Sequence, residues 1–389
     1  MSITRPKGFV ASGVHCGIKV GDALDLALVA TADGVPVPAA AVFTTNRVHA
    51  APVLVSKANL LATGGYASAV VLNSGNANAA TGADGMSHAE QTCAAVAKGL
   101  DCAPENVLVC STGLIGFPLP IEAVLGGVDP LLAAKGPDVA AGERAAQAIL
   151  TTDTRIKDTM IGVGFYTVGG MAKGAAMLAP NLATMLAVLT TDATSTPEQL
   201  QKALRAAVSD TFNALSVDGS TSTNDTVIVL ASGKLGKVPD ASLTEALTLA
   251  CAELAEQMAD DAEGATKVAT IRVQGAESDE DARRAARRIA ESQLVQCSLH
   301  GADPYWGRVV SEAGASGALF SPDRVSVAYG GVVVYRDGVG VVHDQAAVAA
   351  HLQGRMVDVT VDLGAGEGRA AILTTDLSPG YIAENMRTS

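Results

Sequence analysis

Apolar and polar positions follow two different periods along this chain, and the switches between them outline its elements. Residues 67–72 (Ala-Ser-Ala-Val-Val-Leu) form a short apolar run that reads as a buried strand. It leads into Asn73-Ser-Gly-Asn-Ala-Asn-Ala-Ala-Thr-Gly82, a Gly/Asn stretch that reads as a polar loop. Ser87 with Glu90 predicts a capping box that opens a helix reaching about Leu100. Val107 to Cys110 predicts a short strand, and Ser111-Thr-Gly-Leu-Ile-Gly116 a turn after it. Met185 to Leu189 is too short and too uniformly apolar for a surface helix, so it predicts a central strand. Thr196, Pro197 and Gln199 then mark a helix start, and Leu200, Ala203, Leu204, Ala207 and Val208 recur at helical spacing.

Further along, the pattern predicts a helix over 243–259 and an alternating strand over 268–274. Ser278 caps a helix running to about Gln293, whose Arg283, Arg284, Arg287 and Arg288 read as a solvated face with acidic partners. From about residue 325 the chain is Val/Gly-rich and β-like. Strand runs mixed with capped helices predict α+β layers rather than a regular βαβ winding.

Composition narrows this picture. The 389 residues suffice for two or three domains, and 48% are apolar but only 3% aromatic. The core must therefore be built of Ala, Val, Leu and Ile. The net charge of −13 argues against a nucleic-acid partner, whose phosphates demand cations. No apolar run approaches the roughly 18 residues that span a bilayer. The opening Met1-Ser-Ile-Thr-Arg-Pro-Lys7 lacks the apolar centre of a signal peptide, and the expected location is the cytoplasm. Six cysteines, none in a Cys-x-x-Cys pair, read as small buried apolar residues. The six histidines are scattered, so no metal is expected, and no phosphate-binding glycine loop follows a strand.

Thr184 stands between Ala183 and the apolar run. Threonine is a weak nucleophile that needs an adjacent base, and no Ser-His-Asp or Cys-His arrangement competes for the role. If the Ala183–Thr184 bond breaks, Thr184 becomes an N-terminus whose amine, with a pKa of about 8, can take the hydroxyl proton. The hydroxyl could make that cut by attacking the Ala183 carbonyl, and Pro180 and Asn181 would bend the chain to present it. Taken alone, Thr184 reads as a β-branched strand residue rather than a nucleophile.

Lys173-Gly-Ala-Ala-Met-Leu-Ala-Pro-Asn-Leu-Ala-Thr-Met-Leu-Ala-Val-Leu-Thr-Thr-Asp192 resembles the self-cleavage segment of the ornithine acetyltransferase (glutamate N-acetyltransferase) family. Six other motifs resemble that family in the same order. They are Asn73-Ser-Gly-Asn-Ala-Asn-Ala79, Ser111-Thr-Gly-Leu-Ile-Gly116, Thr151-Thr-Asp-Thr154, Ser216-Val-Asp-Gly-Ser-Thr-Ser-Thr-Asn-Asp225, Glu263-Gly-Ala-Thr-Lys267 and Asp303-Pro-Tyr-Trp-Gly-Arg308. The resemblance covers the chain from about Pro6 to its end.

The resemblance implies a layered αββα sandwich with N-terminal-nucleophile-like activation, plus a smaller C-terminal α/β portion. It implies cleavage between Ala183 and Thr184 into an α chain, 1–183, and a β chain, 184–389. Thr184 would carry acetyl from N-acetylornithine to glutamate. Thr112 and Gly113 match oxyanion-hole positions, and Thr151, Lys173, Glu263, Asn385 and Ser389 match substrate-binding ones. A cation such as Lys173 suits the α-carboxylate that both substrates carry, and Glu263 suits the ornithine δ-amine. No cofactor is implied. Acetyl-CoA serves some family members as a second acetyl donor and others not, and the expected assembly is an α2β2 heterotetramer. The chain departs from the family at Ala176, where Gly is usual, at Tyr305, where Asn is usual, and in a tail one residue shorter, which leaves Ser389 or Thr388 at the last position. A self-processing aminopeptidase or amidohydrolase with the same N-terminal threonine is the alternative, and an uncleaved, non-enzymatic scaffold is a further one.

Overall fold

A computed structural model of the chain describes residues 1–177 and 185–386. Ala183, Thr184 and Ser389 therefore lie outside the described residues, as do Pro180 and Asn181. Two sheets stack face to face. One runs Phe9–Val14, Leu26–Thr31, Ala69–Asn76, Val107–Leu114, with the last pair parallel. The other runs Tyr66–Ala67, Val37–Phe43, Thr226–Ala231, Leu186–Thr191, Tyr166–Lys173, Lys157–Val163.

Leu186–Thr191 shows why its sequence is uniformly apolar. Leu186 and Val188 pack into the inter-sheet core with Val29, Leu72, Leu108 and Met171. Ala187 and Leu189 point the other way, into a core shared with Leu204 and Leu247 of the helices Pro197–Ser209 and Asp240–Asp260. A strand covered on both faces needs apolar residues at every position. On the far side, the helices Ala51–Ala62, Gly82–Leu100 and Ile121–Ala133 cover the first sheet through Val55, Val96 and Val128. The layers thus run helix, sheet, sheet, helix, as the resemblance implied.

The C-terminal portion is a third sheet, ordered Val339–Gly340, Val332–Arg336, Ser326–Tyr329, Met356–Asp362, Val268–Ala276, Gly368–Thr375. The helices Asp279–Ala290, Trp306–Gly314 and Gln345–Gln353 share its core. Arg284 pairs with Asp281 and Arg288 with Glu312 on the exposed helix face, as the charge pattern suggested.

Several boundaries differ from the sequence reading. Asn73–Asn76 and Ser111–Leu114 are strand, not loop and turn, because they pair with each other in parallel: Asn73 faces Ser111 and Ser74 faces Thr112. Ser87 lies inside the helix Gly82–Leu100, whose N-cap is Thr81. The Ser278-capped helix ends at Ala290, and Ser292 caps a separate helix, Gln293–His300. Cys297 is exposed, whereas Cys93, Cys110 and Cys251 are buried.

Candidate active site

The parallel strands Ala69–Asn76 and Val107–Leu114 end together, and Thr112 and Gly113 lie at that end. Gly113 has φ +129° and pairs with Gly75, and a Cβ built on it would lie 2.3 Å from the Gly75 carbonyl carbon. Only glycine fits, both for the dihedral and for the close approach.

Lys173 ends its strand in the other sheet. Its side chain is almost completely buried and crosses the gap between sheets, donating to Thr112 Oγ1 at 3.3 Å and to Thr151 Oγ1 at 2.7 Å. Because Thr112 accepts from an ammonium, its own hydroxyl hydrogen stays free to donate, and the neighbouring charge polarises it. Burial pushes the Lys173 pKa down, Asp153 raises it, and Lys157 lowers it further. Asp153 Oδ2 lies 3.8 Å from the ammonium. Burial alone would raise the Asp153 pKa, but Lys173 and Lys157 pull it down to about 2.

Lys173 is also the register partner of Leu186, so residues 174–185 connect two adjacent antiparallel strands. The connection is anchored on both banks. Gly174 N–H donates to Asp153 at 2.7 Å, the Ala175 carbonyl accepts from Glu263 N–H at 2.9 Å, and Met177 N–H donates to Asp218 at 2.6 Å. On the far bank Met185 N–H donates to Asp225 Oδ1 at 3.0 Å. Asp225 is fully buried, its Oδ2 has no hydrogen-bond partner among the described residues, and burial holds its pKa well above the ordinary carboxylate value. Asn224 ties this region to the first sheet, donating to the Ala77 and Ser111 carbonyls at 2.6 and 2.8 Å.

Glu263 and Asn385 form a second cluster at a more exposed level. Asn385 Nδ2 donates to Glu263 Oε2 at 2.8 Å. The helix Pro379–Glu384 brings Asn385 there, and Ser378 Oγ fastens it to the Gly264 carbonyl at 2.5 Å. Gly264, with φ +64°, permits this docking, since a Cβ would lie 2.1 Å from Tyr381 N. A cavity of about 300 Å³ opens beside Glu263, lined also by Asp261 and Glu384.

Of the predicted site residues, Thr112, Gly113, Thr151 and Lys173 converge across the two sheets, and Glu263 and Asn385 meet at the rim. Asp153, Lys157, Asp218, Asp225 and Asp261 were not singled out from the sequence. Asp153, Asp218 and Asp225 did fall within two of the quoted motifs, which was the available signal.

Hydroxyl and ammonium donors gathered where two stacked sheets end can hold a developing oxyanion, the central need of an acyl-transfer enzyme. Comparison with known proteins agrees with that class. The ArgJ family matches residues 10–388, so the chain belongs to the ArgJ family and is an arginine-biosynthesis acetyltransferase. The arginine biosynthesis bifunctional protein ArgJ of Thermobifida fusca is 50% identical over 386 residues, 99% of each chain. Its counterpart in Mycolicibacterium paratuberculosis is 48% identical over 390 residues, 98% of this chain and 95% of that one. Among solved structures, the ornithine acetyltransferase of Mycobacterium tuberculosis complexed with ornithine is 45% identical, covering 46% of this chain and 94% of that chain with a TM-score of 0.44. Among the described residues, no helix is long and apolar enough to cross a membrane.

Proposed function

We propose that the chain cuts itself between Ala183 and Thr184, and that Thr184 then carries acetyl from N-acetylornithine to glutamate. The observation that carries this reading is the Lys173 side chain. It reaches from one sheet to Thr112 on the other, at the foot of the connection that leads to Thr184. In the first half-reaction the Thr184 hydroxyl attacks the acetyl carbonyl while its own amine takes the proton. Thr112 and Gly113 stabilise the oxyanion, and ornithine leaves with a proton. In the second half-reaction the glutamate amine attacks acetyl-Thr184 and restores the hydroxyl. The reaction as written needs no metal or cofactor.

The gradient of exposure suits these substrates. The reacting amide and the α-carboxylate would occupy the buried end, with Thr112 and Lys173. The side chain would extend to the rim. There Glu263 can receive the δ-amine of ornithine, and the Asn385 amide can donate to the side-chain carboxylate of glutamate. One carboxylate beside one amide lets a single rim take both.

The site would combine α-chain residues (Thr112, Gly113, Thr151, Lys173) with β-chain residues (Thr184, Glu263, Asn385). Cleavage in the connection leaves Leu186–Thr191 hydrogen-bonded to Tyr166–Lys173 and Thr226–Ala231, so the two chains stay one folded unit. We also propose the α2β2 assembly, a role for Ser389 at the rim and a cytoplasmic location. The word bifunctional in the relatives' names supports acetyl-CoA as a second donor. The test is to supply glutamate with N-acetylornithine and then with acetyl-CoA. Acetylglutamate from the first supports the transferase. Release of free acetate without transfer would support a hydrolase instead.

A further inference from the structure

Four charged side chains lie buried in a row beside the site: Lys173, Asp153, Lys157 and Asp261. Lys157 is fully buried, with its ammonium 2.6 Å from Asp153 Oδ1 and 2.5 Å from Asp261 Oδ2. Asp261 also accepts the Thr154 N–H at 3.0 Å and the Thr154 hydroxyl, and it sits two residues before Glu263. The set holds two carboxylates and two ammoniums, so it is neutral as a whole.

Asp153 is its centre. One carboxylate accepts Thr151 N–H at 3.1 Å, Gly174 N–H at 2.7 Å and the Lys157 ammonium, and faces Lys173 at 3.8 Å. It thereby ties together Thr151, Lys173 and the first residue of the connection towards Thr184. The hydroxyl partners of Lys173, on Thr112 and Thr151, are neutral. Among the described residues, Asp153 is the one carboxylate within salt-bridge distance of the Lys173 ammonium. Other charges act on Lys173 from further off: Lys157, Glu263 and Asp225, with Lys19 facing it from the first sheet's side. At 3.8 Å, Asp153 is beyond a direct hydrogen bond. It opposes the lysine's charge without consuming its third hydrogen, which is left for an incoming carboxylate.

We propose that Asp153 is a positioning residue for acetyl transfer, holding Lys173 as a charged, correctly aimed receptor for the α-carboxylate of both substrates. The proposal rests on the reading of Lys173 given above. Without Asp153, a lysine this deeply buried releases its proton more readily, and a neutral amine no longer attracts a carboxylate. Substrate binding should then depend on pH in a way the intact enzyme avoids.

The test compares cleaved wild-type enzyme, Asp153→Asn and Lys157→Met, with KM for N-acetylornithine and kcat measured from about pH 6 to about pH 9. In Asp153→Asn, KM should climb about tenfold per pH unit above the new Lys173 pKa and recover towards acid, with kcat moving by less than about threefold. Lys157→Met also disrupts the buried row and lowers the melting temperature, but it leaves the Asp153 charge facing Lys173. Its KM should stay independent of pH. Should Asp153→Asn fail to fold, the double variant Asp153→Asn/Lys157→Met keeps the row neutral as a whole, and its KM should again rise with pH. A flat KM in the Asp153 variants overturns the proposal, as does an equal pH dependence in Lys157→Met. A wild-type enzyme that transfers nothing overturns the reading of Lys173 itself and this proposal with it.

Discussion

Replacing Thr112 by valine removes one hydroxyl and preserves the shape of the side chain. Thr112 is 3% exposed and lies within the strand Val107–Leu114, so the β-branched replacement fits the same strand position. Two losses follow. The Lys173 ammonium, 3.3 Å away, loses one acceptor but keeps Thr151 at 2.7 Å. An unpartnered buried donor costs about 1–3 kcal/mol of stability. The larger loss is in the transition state, where the Thr112 hydroxyl would donate to the oxyanion. Deleting one such donor costs about 2.7–4 kcal/mol, or roughly a hundred- to thousandfold in kcat. The assay is initial-rate acetyl transfer from N-acetylornithine to glutamate, normalised to the fraction of chains cleaved, since cleavage would use the same donor. Thr112→Ser should keep most of the rate. A Thr112→Val enzyme with kcat within about threefold of wild type would refute the oxyanion role, whatever happened to KM.

Other outcomes follow from the same geometry. Glu263→Gln removes the charge offered to the ornithine amine, so KM for N-acetylornithine should rise about ten- to hundredfold while KM for glutamate stays level or falls, as read by separate titrations of donor and acceptor. Asp153, held at a pKa of about 2 when folded and about 3.9 when unfolded, binds its proton more weakly in the native state. Its contribution, about 2–3 kcal/mol, is full above the unfolded value and disappears as pH falls through about 2, so urea midpoints should drop steeply across that window and less so in Asp153→Asn. Asp225 has the opposite sign: its raised folded pKa favours the native state at low pH and penalises it as pH rises through that value. Asp225→Asn should therefore flatten the decline in urea midpoint towards higher pH.

The sequence was most legible where local chemistry decides structure. Thr196 and Gln199 do form the reciprocal capping box, and Leu200, Ala203, Leu204, Ala207 and Val208 are the buried residues of that helix. The largest misreading comes from partnership at a distance. Asn73–Asn76 and Ser111–Leu114 look like loop and turn by composition, yet each is the strand partner of the other. Ser87 and Glu90 match a cap locally, but the helix already begins at Gly82. The same limit governs the site. Thr112, Gly113, Thr151, Lys173, Glu263 and Asn385 came from the resemblance, because nothing local distinguishes a catalytic Thr-Gly from an ordinary one. Asp153 and Lys157 are four residues apart and could have been noticed as a pair. That Asp261, 104 residues beyond Lys157, completes the row is visible only in the fold.

The central claim is that Thr184 is freed by cleavage and then acetylated. Intact-mass analysis of the purified enzyme, before and after brief exposure to N-acetylornithine without glutamate, tests it most directly. The expected result is two chains, one beginning at Thr184, and a gain of one acetyl group on that chain alone, located at Thr184 and removed when glutamate is added. Thr184→Ala should give a single chain of 39.2 kDa that gains nothing. A wild-type enzyme that transfers acetyl while remaining one uncut chain, or while carrying acetyl elsewhere, would contradict the account.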